Sequence, residues 1–234
     1  MTSEAALLIT GTSRGLGKSL AEFFLNSGYF VYGCSRNITP INNKNYRHFL
    51  TDIHDDSAVA SMFSEIHKFG RPLNFLINNA GVSQSSLGIL TSSDTALHIL
   101  RVNLIGNFLV TRAALKLMLK QQFGRIVNFS SINVPLGSAG SSIYNASKIG
   151  VEAMSKSLAR ECGTADITIN TIGLSMVSNS GMVDKLGAKA LADKNSNLLK
   201  PQMLEIEEIT HAVEFFLSPL AKNITCQTIY FGGV

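Results

Sequence analysis

Seven short apolar runs, with amphipathic segments between most of them, constrain this 234-residue chain more than any other feature. They are ALLIT (6–10), FVYGC (30–34), the weaker RHFL (47–50), LNFLIN (73–78), RIVNFS (125–130), ITINTI (167–172) and QTIYF (227–231). Between them apolar residues recur at helical spacing: Leu16, Leu20, Phe23 and Phe24; Val59, Met62, Phe63 and Ile66; Ile206, Ile209, Val213 and Phe216. A long helical stretch runs from about Asp94, and another opens near Tyr144. Strands linked through helices pair in parallel, since a parallel connection needs a crossover, and the helices then cover both faces of the sheet. The expectation is an α/β fold, a single domain over residues 1–234 built on a doubly wound parallel sheet of about seven strands.

A hydrophobic content of 45% with only 15% charged residues suits a buried face between subunits. No apolar run has the length of a membrane span, and MTSEAALLIT lacks the basic start of a signal peptide. Cys34, Cys162 and Cys226 are few and unpatterned, which points to a reducing, cytoplasmic setting and away from zinc or a disulfide framework. His48, His54, His67, His98 and His211 are scattered, so no metal is expected. The net charge of +4 suits anionic small molecules or an acidic partner. Basic patches interleaved with aromatics are missing, so nucleic acid is not expected. Residues 175–201 are polar and weakly periodic. Met176, Val177, Met182, Val183 and Leu186 supply apolar positions there, and the segment is expected to be a lid over a substrate.

TGTSRGLG (10–17) follows the first strand directly and opens the first helix. Glycines at 11, 15 and 17 let the backbone turn tightly and approach a pyrophosphate, which the helix N-terminus stabilises. This is the start of a Rossmann-like nucleotide-binding unit. At the end of the second strand, an acidic residue would hold a ribose 2′-hydroxyl. Here Ser35 and Arg36 stand instead. Arg36, with Arg14 inside the glycine turn, can clamp a 2′-phosphate, so NADP(H) is the expected cofactor.

YNASK (144–148) puts Tyr144 and Lys148 four residues apart on one helical face. A free phenol titrates near 10 and exchanges protons poorly at neutral pH. A neighbouring ammonium would lower that value and fit Tyr144 for acid–base work. Hydride addition to a carbonyl builds negative charge on oxygen, which hydroxyl donors at Ser131 and Tyr144 can stabilise. Strand alternation points the neighbouring Ser130 the other way.

TGTSRGLG, TDI (51–53), NNAG (78–81), VNLIG (102–106), RIVNFSS (125–131), YNASK and INTI (169–172), in that order, resemble the short-chain dehydrogenase/reductase family over nearly the whole chain. The nearest likeness is to its 3-oxoacyl-carrier-protein reductase branch. The resemblance implies Tyr144 as general acid/base, Lys148 as the residue that tunes it and holds the nicotinamide ribose, and Ser131 as the donor to the substrate carbonyl. It implies Asn103 as the residue that holds a helix kink and a relay water. Asp52 and Ile53 would contact adenine, and Asn79, Ala80 and Gly81 would pack against its ribose. Gly11, Ser13, Arg14, Gly15, Leu16, Gly17, Ser35 and Arg36 complete one end of the cofactor site, and Val177 and Asn179 the other. The implied function is NADPH-dependent reduction of a 3-oxoacyl thioester or related small ketone, free or tethered to acyl carrier protein or CoA, by a homotetramer or homodimer. Arg112, Lys116 and Lys120 line one helix face that could receive an acidic carrier.

The chain departs from the family at two places. Leu174 and Ser175 stand where Pro-Gly is expected, and Asn179 stands near a threonine position. Thr225-Cys226-Gln227 and Phe231-Gly232-Gly233 replace Thr-Gly-Gln and Asp-Gly-Gly. Two other functions therefore stay in view: an oxidative alcohol or sugar dehydrogenase, and a non-catalytic cofactor-binding partner subunit.

Overall fold

Each of the seven apolar runs becomes a strand of one parallel sheet. The computed structural model describes residues 5–84, 86–178 and 198–234. Strands β1 (Ala6–Thr10), β2 (Phe30–Ser35), β3 (Tyr46–Leu50), β4 (Leu73–Asn78), β5 (Phe123–Ser131), β6 (Asp166–Leu174) and β7 (Thr228–Tyr230) are ordered β3-β2-β1-β4-β5-β6-β7. The order reverses between β1 and β4, which opens a crevice at the carboxyl ends of those strands. β7 is shorter than its apolar run because only Thr228, Ile229 and Tyr230 pair with β6, at the sheet edge.

Strand alternation divides the core in two. Ala6 and Leu8 face a layer that includes Val59, Met62, Phe63 and Ile66 of α2 (Asp56–Phe69), Val110 and Ala114 of α4 (Asn107–Gln121), and Leu158 of α6 (Ser142–Glu161). Leu7 and Ile9 face the other layer, with Leu20 and Phe24 of α1 (Gly15–Asn26) and Ile209, Val213 and Phe216 of α7 (Ile206–Leu217). In the chain α3 (Ser93–Leu100) precedes α4, and the short α5 (Asn133–Leu136) precedes α6; both pack against α6.

The helical stretch Ser93–Gln121 is long and apolar enough to match a membrane span by composition, contrary to the sequence expectation. Its most apolar window is 56% buried within the protein, and Val110, Ala114, Leu115 and Met118 pack in the core, while Leu97, Ile105 and Leu119 stay exposed. A buried amide network fixes it to the sheet. Asn78 donates to Thr111 Oγ1 (2.9 Å) and to Asn128 Oδ1 (2.8 Å), and Asn128 donates to Ser155 Oγ (2.8 Å). Side chains of β4, α4, β5 and α6 are thereby held in one register, since breaking any link leaves a buried polar group unpaired.

Candidate active site

Ser131 is the last residue of β5, so it stands at the carboxyl edge of the sheet. Its hydroxyl neighbours the Tyr144 phenol, in the first turn of α6, and accepts from Asn133 N at 3.2 Å. Ser130 points to the opposite face, as alternation requires, and donates to the buried Glu152 carboxylate. Tyr230 of β7 binds the same carboxylate at 2.7 and 2.8 Å, and Gly173 has no side chain because Tyr230 crosses it.

Lys148 lies one turn after Tyr144 and is only 8% exposed. Its Nζ donates to the Phe129 carbonyl at 2.8 Å and sits 5.7 Å from the centre of the Tyr144 ring. Burial pulls the Lys148 pKa down from 10.5 to about 8. Burial also pushes the Tyr144 phenol above its ordinary value, and the neighbouring Ser131 hydroxyl only partly opposes that. This corrects the expectation that the ammonium lowers the phenol. Desolvation dominates, while Lys148 Nζ is engaged by the Phe129 carbonyl and stands off the ring.

Asn103 occupies a six-residue π-helical turn, Arg101–Gly106, between α3 and α4. Such turns interrupt the helical ladder and recur at functional sites. Asn103 Oδ1 accepts from Val82 N (2.8 Å), and its Nδ2 donates to Val82 O (2.9 Å) and Ser147 Oγ (3.0 Å). Ser147 in turn donates to Tyr144 O at 2.6 Å. Asn103 therefore links the segment after β4 to the helix that carries Tyr144.

Gln84 was not legible as a site residue. The N-cap of α6, Ser141, makes no side-chain capping bond. Gln84 Oε1 instead accepts from Ile143 N (2.9 Å) and Tyr144 N (3.1 Å), while its Nε2 donates to Ser86 O and Thr91 Oγ1, both at 2.9 Å. A helix capped from a distant loop leaves no local sequence signal, because the capping residue lies 59 positions away.

The glycine turn forms a cradle. Gly11 and Gly15 adopt φ of 79° and 55°, in the left-handed region. A Cβ on Gly17 would lie 2.3 Å from Gly11 O and from Asn79 Nδ2, so backbone and amide occupy the space of a side chain. Asn79 N and Ala80 N donate to Thr10 Oγ1 at 3.0 and 2.9 Å, and Asn79 Nδ2 to Thr10 O at 2.8 Å. Gly81 follows, where a Cβ would lie 3.7 Å from Lys148 Nζ. The cradle and the catalytic candidates thus share one edge of the sheet. Its bare backbone and the N-terminus of α1 fit a pyrophosphate. Ser13 and Leu16 are half-buried in this turn, and Arg14, the α1 N-cap residue, is exposed. Arg36 is exposed directly after β2, and neither arginine makes an ion pair among the described residues.

Several expected contacts are not offered by side chains. Ile53 is buried against Gly106, so only its backbone is available to an adenine. Ser35 is buried, and its hydroxyl donates to Asn37 O at 2.7 Å. The Asp52 carboxylate lies 2.7 Å from His54 Nδ1. The Val177 side chain is in the core, and the bridge from this segment to Leu204 uses Met176 O and Ser178 N rather than Val177's own amide. Arg112 is paired with Asp56 at 2.5 Å, which leaves Lys116 and Lys120 as the exposed cations of that face. Asn179 and residues 179–197 of the expected lid lie outside the described residues.

Comparison with known proteins agrees with this arrangement. The family model described as short chain dehydrogenase matches residues 5–191. The chain is 29% identical over 232 residues to the 3-oxoacyl-[acyl-carrier-protein] reductase of Vibrio harveyi, with 97% of this chain and 95% of that protein covered. It is 33% identical over 217 residues to the Mus musculus protein of that name, with 89% of each covered. A solved structure titled "ElxO with NADP Bound" superposes with a TM-score of 0.89 at 24% identity, covering 97% of this chain and 96% of that one, which speaks to fold.

Proposed function

The chain belongs to the short-chain dehydrogenase family, and from that premise we propose that this oxidoreductase is an NADPH-dependent ketoreductase. It reduces a 3-oxoacyl thioester or related small ketone to a secondary alcohol. The observation that carries this reading is the gathering of Ser131, Tyr144 and buried Lys148 at the same sheet edge as the glycine cradle.

NADPH, when bound, supplies the hydride. The cradle and the N-terminus of α1 hold its pyrophosphate, and Arg14 and Arg36 its 2′-phosphate. Ser131 donates to the carbonyl oxygen, and Tyr144 delivers the proton as negative charge develops there. A phenol whose pKa is raised holds that proton firmly until an oxyanion demands it. Lys148, buried and cationic below about 8, can donate to ribose hydroxyls. Names of the reductases from Vibrio harveyi and Mus musculus support an acyl-carrier-tethered substrate. Exposed Ile105 and Ile149, with a groove between α4 and α6 lined by Leu115, Leu119 and Leu158, support pairing of copies into a homodimer or homotetramer.

The test is NADPH oxidation against a panel of acyl thioesters, β-keto esters and quinones, repeated with Tyr144→Phe. Reduction should fall at least about a hundredfold in the variant, with NADPH binding little changed. Turnover near that of the wild type would refute the assignment of the acid.

A further inference from the structure

A line of side-chain hydrogen bonds crosses the adenosine end of the crevice and ends beside both candidate phosphate arginines. Thr12 Oγ1 meets Tyr46 OH at 2.9 Å, and Tyr46 OH meets His48 Nδ1 at 2.9 Å. His48 Nε2 lies 3.0 Å from the Asn37 carbonyl and 3.2 Å from Ser35 Oγ. A carbonyl only accepts, so Nε2 carries the proton. Nδ1 is then the acceptor, Tyr46 donates to it, and Thr12 donates to Tyr46.

Local geometry shows why these partners meet. Tyr46 starts β3 but must reach over β2 to touch the turn after β1. Gly33 permits this: a Cβ there would lie 2.0 Å from Tyr46 OH and 2.6 Å from Thr12 Oγ1. Thr39 Oγ1 adds a second tie by donating to Thr12 O at 3.2 Å. Thr12 is two residues before Arg14, and Ser35 and Asn37 flank Arg36. Each end of the line therefore grips a turn that bears an exposed arginine.

We infer that Tyr46 and His48 are positioning residues for the cofactor's 2′-phosphate. They hold the Arg14 turn and the Arg36 turn at one separation, so that both guanidinium groups can close on one phosphate. This inference rests on the NADPH reading above. Neither Tyr46 nor His48 needs to touch the ligand. Discrimination follows because Asn79 and Ala80 brace the glycine turn from the β4 side and keep the pyrophosphate cradle in place, whereas this line sets how far the Arg36 turn stands from it.

Calorimetric titration with 2′,5′-ADP and with ADP tests this without any hydride chemistry. Tyr46→Phe keeps the ring and deletes the hydroxyl, and His48→Leu breaks the line one step further on. Each should weaken 2′,5′-ADP by about five- to tenfold, the size expected for one lost hydrogen bond, while ADP stays within about twofold and reports an intact fold. Equal weakening of both ligands, or of neither, overturns the inference. Arg36→Ala separates the two levels. If it abolishes the preference for 2′,5′-ADP and Tyr46→Phe does not lower it, the NADPH reading stands and the positioning role falls. If Arg36→Ala leaves the preference unchanged, both fall.

Discussion

Burying Lys148 should leave a signature in the pH dependence of stability. In the fold its pKa drops from 10.5 to about 8, and the cause is burial. In the unfolded chain it titrates at the ordinary value. Between those pH values the unfolded state holds more protons than the folded one, so stability contributed by this group rises with pH. Below about 8 both states carry the charge and the full cost of burying it is present. Above 10.5 neither does, and the cost is gone. The difference between the two pKa values corresponds to about 3 kcal/mol across that window. Urea denaturation of the wild type and of Lys148→Met, at matched pH from 7 to 10.5, isolates the effect, since other titrating groups cancel in the difference. Tyr144, raised above 10, stays neutral through most of the range. The wild type should gain on the variant by most of that amount as the pH rises. A difference that stays flat within about 0.5 kcal/mol would mean that the ammonium keeps its hydration despite its burial, and would refute the reasoning.

Three other outcomes are expected. Arg36→Asp should lower the ratio of efficiency with NADPH to that with NADH steeply, because attraction is replaced by repulsion at the 2′-position; steady-state kinetics with both cofactors checks it. Gln84→Ala removes the acceptor for two amides at the start of α6, and should cost about 1–2 kcal/mol in denaturant unfolding and lower kcat with the NADPH KM little changed. Cys226 has φ of 61°, so Cys226→Gly should relieve left-handed strain and stabilise the fold by about 0.5–1 kcal/mol, read as a higher unfolding midpoint.

That last position shows how sequence and structure divide the account. The departure at Thr225-Cys226-Gln227 was visible as a change from glycine, but only the backbone shows that a left-handed conformation persists there without glycine's freedom. Ser131, Tyr144, Lys148 and Asn103 were legible as candidates through the ordered motifs that resemble the family, since the i, i+4 spacing of Tyr144 and Lys148 fits an ordinary helix face equally well, and the sheet brings the strand and helix ends to one edge. The number, direction and layering of strands were legible too, since apolar periodicity reports which face is buried. The sequence by itself therefore determined the architecture and the candidate residues for the chemistry. Tertiary structure decided how they are held and charged. The direction of the Tyr144 shift depends on desolvation, a property of everything packed around the phenol, which no i, i+4 spacing encodes. The cap of α6 by Gln84, the Glu152–Tyr230 link and the Tyr46–His48 line join residues far apart in the chain. Such partners meet only after strands pair and helices pack, because hydrogen bonds need distances of about 3 Å that sequence separation does not specify.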